Sequence, residues 1–236
     1  GYPWAACIGN DGALWYAYAV KARMAEGSDW EPPQRIFGPF IKPKRLSVLP
    51  LDDGKVYAIC AGTDRVVGRL WNGTSWESEE VITSKNLIVD YGYSAVSCNG
   101  KVHLVLLEES THDVLYFIRT DEMLWQEELV ERNLGNLSLP VICINELNGN
   151  LYCFWVHNNT IWLKENVNGV WKSLSHPFGT DFGELKGISC FYKVFEGKVG
   201  VAWLERRSDL YEVKYGFVSV EEMGNCSIIE SWLIGL

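Results

Sequence analysis

At 236 residues, 47% hydrophobic and 22% charged, the chain has the make-up of a globular protein long enough for one large all-β domain. Its formal charge of −9, with lysines and arginines scattered singly apart from Lys42-Pro43-Lys44-Arg45 and Arg206-Arg207, argues against nucleic-acid binding, which draws its affinity from clustered basic groups, and against anionic membranes for the same reason. No stretch approaches the roughly 18 consecutive apolar residues that span a bilayer, so direct membrane insertion is not expected.

The first unit opens with "PWAACIG" as an inner strand, turns at Asp11-Gly12 and returns as "ALWYAYAV". The following "KARMAEGSDW" leaves little room for a third strand before Trp30. The second unit runs from "LSVLPL" through Asp53-Gly54 to "VYAIC", then "RVVGRLW" and "NGTSW". The third has "SAVSC", Asn99-Gly100, an apolar run from Val102, then "VLYFIRT" and Trp125. The fourth reads most plainly: "PVICINE", Asn148-Gly149, "LYCFWV", a polar turn at His157-Asn158-Asn159, "TIWLKEN", Asn168-Gly169 and "VWKSL". Asn-Gly between apolar runs marks a hairpin, because both residues tolerate the positive φ of a type I′ turn. The fifth unit places "SCFYKV" before Glu196-Gly197 and "LYEVKYG" after it, and "SVEEMGNCS" interrupts before "IIESWLIGL".

The hairpin glycines Gly12, Gly54, Gly100, Gly149 and Gly197 recur 42, 46, 49 and 48 residues apart. The tryptophans expected to open each last strand, Trp30, Trp76, Trp125 and Trp171, recur at 46, 49 and 46. Two markers keeping one period identify a repeat. The strand after each glycine is apolar on both faces, as where Leu151, Cys153 and Trp155 alternate with Tyr152, Phe154 and Val156. A strand with one wet face would alternate apolar with polar, so these strands are covered on both sides. Meanders stacked face to face around an axis supply that cover. The expected fold is all-β: a β-propeller of about five four-stranded antiparallel blades, in one domain over 1–236. The blades fall at about 1–40, 41–86, 87–134, 135–181 and 182–236, with "IIESWLIGL" as a candidate outermost strand. A fragment of a six- or seven-bladed ring is the rival.

The strand pairs ending in tryptophan, "NGTSW", "TDEMLW" and "NGVW", resemble the degenerate repeats of the sialidase superfamily, whose members include non-catalytic lectin-like propellers. The resemblance covers all five units. The family's Asp-box, roughly S/T-x-D-x-G-x-x-W/F, is matched in part by Thr120-Asp121 before Trp125 and Ser28-Asp29 before Trp30; the other copies lack the aspartate. For a catalytic member the resemblance implies three arginines gripping a substrate carboxylate, a tyrosine nucleophile helped by a glutamate, and an acidic acid/base. Arg45, Arg65, Arg206 and Arg207, with Tyr91 or Tyr93 and Glu184, are the candidates for one face. The "RIP" tripeptide that commonly carries the first arginine is not present, and "RIFG" at Arg35 stands in the wrong part of its blade. The inner strands "WAACIG", "LSVLPL", "SAVSC", "VICIN" and "SCFYKV" hold no carboxylate, which counts against a five-bladed glycosidase working with two carboxylates astride the sugar bond.

None of the seven cysteines has zinc-ligand spacing, and Cys60, Cys98, Cys143, Cys153 and Cys190 fall in apolar strands, as buried free thiols do. His103 is interior to a buried strand, and His112 and His157 occupy equivalent turns; no metal or other cofactor is implied. Asn72, Asn136, Asn158 and Asn225 each head an N-x-S/T motif in or beside a turn, which suits glycosylation of an extracellular or cell-surface protein. The turns between second and third strands and the links into each inner strand gather on one face. A ligand is expected there, against Arg45, Arg65, Tyr91, Tyr93, Glu184, Arg206 and Arg207, because the tight first hairpins of the opposite face offer little side-chain surface. These features point to a non-catalytic, lectin-like binding module for a glycan or protein ligand. A sialidase-like glycoside hydrolase and a structural assembly unit are the alternatives, and no motif specifies the oligomeric state.

Overall fold

The computed structural model describes residues 3–21, 27–37, 43–88, 90, 92–120, 124–135, 139–172, 175–180 and 182–220. Among them there is no α-helix, and the strands form five antiparallel sheets that follow one another along the chain. The first holds β1 (Trp4–Ile8), β2 (Leu14–Tyr18) and β3 (Gln34–Phe37). The second holds β4 (Pro43–Pro50), β5 (Val56–Gly62), β6 (Val66–Trp71) and β7 (Glu80–Thr83). β8 (Tyr93–Cys98), β9 (Lys101–Leu107), β10 (Val114–Arg119) and β11 (Trp125–Glu131) make the third. β12 (Val141–Ile144), β13 (Leu151–His157), β14 (Thr160–Val167) and β15 (Val170–Trp171) make the fourth. The fifth holds β16 (Glu184–Cys190), β17 (Lys198–Arg207) and β18 (Leu210–Ser219).

Each sheet is a meander because local turn chemistry closes it. Asn99-Gly100 (φ 50 and 71°), Asn168-Gly169 (52 and 82°) and Glu196-Gly197 (49 and 69°) are two-residue turns with both φ positive, the geometry whose twist matches the flanking strands. Asn148-Gly149 departs from that expectation. It ends a six-residue link between β12 and β13, in which Asn145 accepts backbone bonds from both Asn148 and Gly149 and only Gly149 has positive φ. The Asn145 side chain accepts from the Leu147 amide at 3.0 Å and so offers the backbone a wider turn than the hairpin.

Stacking the sheets buries both faces of the second strands. β5 is buried throughout, and β9 and β13 nearly so. Four apolar layers result, between successive pairs from the first and second sheets to the fourth and fifth. Trp155 (1% exposed) and Trp203 (6%) sit in the last two of these layers, each removing about 150–250 Å² from water. Cys60, Cys143 and Cys153 are buried free thiols; burial pushes the Cys60 and Cys143 thiols up to about 12. The first strands lie side by side in the order β1, β4, β8, β12, β16. They therefore set one edge of each sheet beside the same edge of the next.

Three expectations need correction. Trp30 and Trp76 do not open strands: they make isolated bridges to Ala19 and Trp71, ahead of β3 and β7. The first and fifth sheets have three strands each among the described residues rather than four, with β3 paired directly to β2. The fifth inner strand is not "SCFYKV" but β16, Glu184–Cys190; it begins with a carboxylate. The segment "IIESWLIGL" lies outside the described residues.

Candidate functional site

At the end where β4, β8, β12 and β16 begin, their side chains enclose a depression of about 460 Å³. Its polar lining is Arg45 on β4, Asp90 ahead of β8, Tyr93 and Ser94 on β8, and Lys186 and Ser189 on β16, and Leu139-Pro140 forms an apolar wall. Two β-bulges set this geometry. The β4–β5 register slips between Pro43 and Arg45, and the β16–β17 register between Leu185 and Gly187. The extra residues are Lys44 and Lys186, and a bulge re-aims the side chains around it. Lys44 Nζ thereby reaches Asp90 Oδ2 at 3.2 Å, while Arg45 Nη2 donates to the Asp90 carbonyl oxygen. Lys186 pairs with Glu184 at the rim.

The depression has the marks of a built site. The Tyr93 hydroxyl is buried without a hydrogen-bond partner at bonding distance, although Ser47 stands close enough to influence it. Burial raises its pKa well above the ordinary phenol value. Leu139 adopts φ 48°, left-handed backbone that costs a non-glycine residue about 1–3 kcal/mol and persists only where its surroundings impose it. Ser94 Oγ accepts from the Ile142 amide at 3.2 Å and ties β8 to β12 beneath the wall.

Of the residues expected here, Arg45 and Tyr93 line the depression. Glu184 stands on its rim and extends the ion-pair chain outward, with Arg206 Nη1 at 3.8 Å from Oε2. Arg206 is held away from the centre: its Nε donates to the Ser208 carbonyl at 3.1 Å and its guanidinium lies over the Tyr211 ring at 5.8 Å. Arg207, one residue on and therefore on the other face of β17, pairs with buried Glu205. Arg65 is a half-buried residue at the β5–β6 turn and does not line the depression. Tyr91 lies outside the described residues, as do Asn136 and Asn225. Asn72 is exposed, its Oδ1 accepting from the amides of Thr74 and Ser75 at 3.0 Å. Asn158 is exposed too, and its Nδ2 is engaged with His157 Nε2 at 3.1 Å.

Lys186 and the Leu139-Pro140 wall were missed from sequence. A glycine within an apolar strand is the usual sign of a bulge, and Gly187 directly after Lys186 is that sign. His157 is committed, with Nδ1 on the Leu134 carbonyl at 3.0 Å. Among the described residues no group of three His, Cys, Asp or Glu side chains is placed to hold a metal ion.

No protein-family model matches the chain, and no curated protein matches it. The solved structures it resembles include NanB with Optactamide, at TM-score 0.58 and 10% identity over 89% of this chain and 36% of that one. A prolyl endopeptidase structure gives TM-score 0.58 and 10% identity over 98% and 33%. A neuraminidase-like protein from a little yellow-shouldered bat source gives 0.47 and 14% over 76% and 60%. The chain thus spans about a third of the length of the first two, and at this identity the likeness is one of fold.

Proposed function

We propose that the five sheets are the blades of a β-propeller and that the depression at the start of the inner strands binds a glycan without turning it over. The observation that carries this reading is the convergence of Arg45, Asp90, Tyr93 and Lys186 from three different sheets on one cavity. Guanidinium and ammonium groups give directed, charge-assisted hydrogen bonds to hydroxyl and carboxylate oxygens. Tyr93 adds an aromatic ring to the same lining. A volume of 460 Å³ falls in the usual range of small-molecule sites, about 300–1,000 Å³.

Glycoside hydrolysis draws on two carboxyl groups flanking one bond, roughly 5–10 Å apart. Among the described residues Asp90 is the one carboxylate lining the depression, and Lys44 already holds it. This supports a binding role over a catalytic one. Glu184, on the rim and at the head of β16, is the feature that favours the sialidase-like hydrolase reading instead. We place the protein outside the cell or at its surface, with Asn72 in an exposed turn as the glycosylation acceptor best presented. Nucleic acid is not among the partners proposed, given the net charge of −9.

The test is a glycan array probed with the wild type and with Arg45→Ala plus Lys186→Ala. A hit should weaken at least about tenfold in the double variant, since losing one charge-assisted bond costs about 1.5–3 kcal/mol. Unchanged affinity would move the site elsewhere, and turnover of a sialoside or aryl glycoside that vanishes in Glu184→Gln would promote the hydrolase reading.

A further inference from the structure

The opposite end of the strands is not the barren face that its tight hairpins suggest. A cleft of about 600 Å³ opens there between the third and fourth sheets, floored by Ile118, Ile144 and Leu151. Two deeply buried polar side chains line it, His103 on β9 and Asn166 on β14, each 5% exposed. His103 Nδ1 is 2.7 Å from the Tyr116 hydroxyl. Asn166 Oδ1 accepts from the Gly169 amide at 2.9 Å, closing the Asn168-Gly169 turn.

In each of these side chains one polar atom is committed and the other is not. Among the described residues His103 Nε2 and Asn166 Nδ2 have no hydrogen-bond partner, yet neither is sealed from solvent. Whichever imidazole nitrogen carries the proton, one faces Tyr116 and the other is left for the cleft. Polar side chains are uncommon at this depth, and both of these keep one polar atom open to the cleft they line. The pair therefore has the character of a recognition element.

The cleft's charge narrows what it recognises. Burial, helped by Lys101, depresses the His103 pKa to about 4, so the ring is neutral at pH 7. Lys101 and Glu128 line the cleft with opposite signs. Neutral amide and imidazole groups over an aliphatic floor match a ring with hydroxyls along one edge and C–H bonds on a face. We propose that this cleft is a second ligand site, taking an uncharged sugar ring whose hydroxyl edge meets His103 Nε2 and Asn166 Nδ2 and whose C–H face lies on Ile118, Ile144 and Leu151. The site is independent of the depression at the other end of the strands.

With four histidines in the chain, the imidazole C–H resonances report on it directly. The wild-type protein is titrated with methyl glycosides of glucose, galactose, mannose, fucose and N-acetylglucosamine, and with N-acetylneuraminic acid as the anionic comparator, each to about 50 mM so that a Kd as weak as about 10 mM is seen. At least one neutral glycoside should shift the His103 signals saturably while those of His112, His157 and His176 stay in place. The anionic sugar should bind at least about tenfold more weakly. Asn166→Asp keeps the oxygen that the turn uses and removes the donor, and should weaken the response about tenfold or more. Arg45→Ala plus Lys186→Ala should leave it unchanged. No selective His103 response across the panel, an equal response in a folded Asn166→Asp, or equal binding of the anionic sugar would each overturn the assignment.

Discussion

Glu80 accepts four hydrogen bonds from the residues around it: Arg119 Nε at 2.9 Å and Nη2 at 2.8 Å, the Tyr57 hydroxyl at 2.7 Å and Trp125 Nε1 at 3.1 Å. The Arg119 guanidinium also lies over the Tyr57 ring at 4.8 Å. These contacts pin the second sheet to the third through one partly buried carboxylate. Burial alone would raise its pKa, but the bonds from Arg119 and Tyr57 outweigh it and the net shift is downward. Arg119→Ala leaves that partly buried carboxylate without its countercharge and should cost about 1.5–3 kcal/mol in a urea melt. Glu205, fully buried in the fifth sheet, is the second such group, held by Lys214 Nζ at 2.8 Å, by the Gly183 amide at 2.6 Å and by Arg207. Again burial is outweighed by these partners, and the carboxyl falls from 4.5 to about 2. A lowered folded-state pKa stabilises fully above the unfolded value and is lost as pH falls through the folded one. Stability should therefore decline between about pH 4.5 and pH 2, and denaturant melts of Glu205→Gln should lose that part of the acid dependence. Neither network was legible in the sequence: Glu80, Tyr57 and Arg119 are paired by sheet stacking, not by any spacing along the chain.

Among the elements, the strands and turns that local chemistry determines were readable, and those that tertiary contacts determine were not. Asn99-Gly100 and Asn168-Gly169 fold as their dipeptides demand. Asn148-Gly149 carries the same dipeptide and does otherwise, because Asn145 nearby captures the backbone first. The doubly apolar pattern of "LYCFWV" correctly marks β13 as sandwiched. Trp155→Ala should accordingly cost about 3–5 kcal/mol by chemical denaturation; a loss below about 1 kcal/mol would mean that the strand is not packed on both sides. The bulges at Lys44 and Lys186 have only Gly187 as a sequence trace, and they are what assembles the candidate site. Arg45 and Tyr93 consequently line one depression, while Arg206 and Arg207, adjacent on β17 and so pointing to opposite faces of its sheet, do not line it.

For the whole molecule, the shared period of glycines and tryptophans anticipates five successive sheets with near-even boundaries, and the apolar layers between them follow from strands that are greasy on both sides. The period carries no information about the two ends of the array. There the fifth sheet presents Tyr211, Val213 and Tyr215 to solvent, and among the described residues no apolar layer joins it to the first sheet. The function proposed does not depend on that junction, because the depression is built by β4, β8, β12 and β16. Its most direct test is a crystal structure of the protein soaked with a glycan that the array selects. Density for the sugar within hydrogen-bonding distance, about 2.7–3.2 Å, of Arg45 and Lys186 is the result the account predicts. A glycan bound with both of those side chains untouched would contradict it.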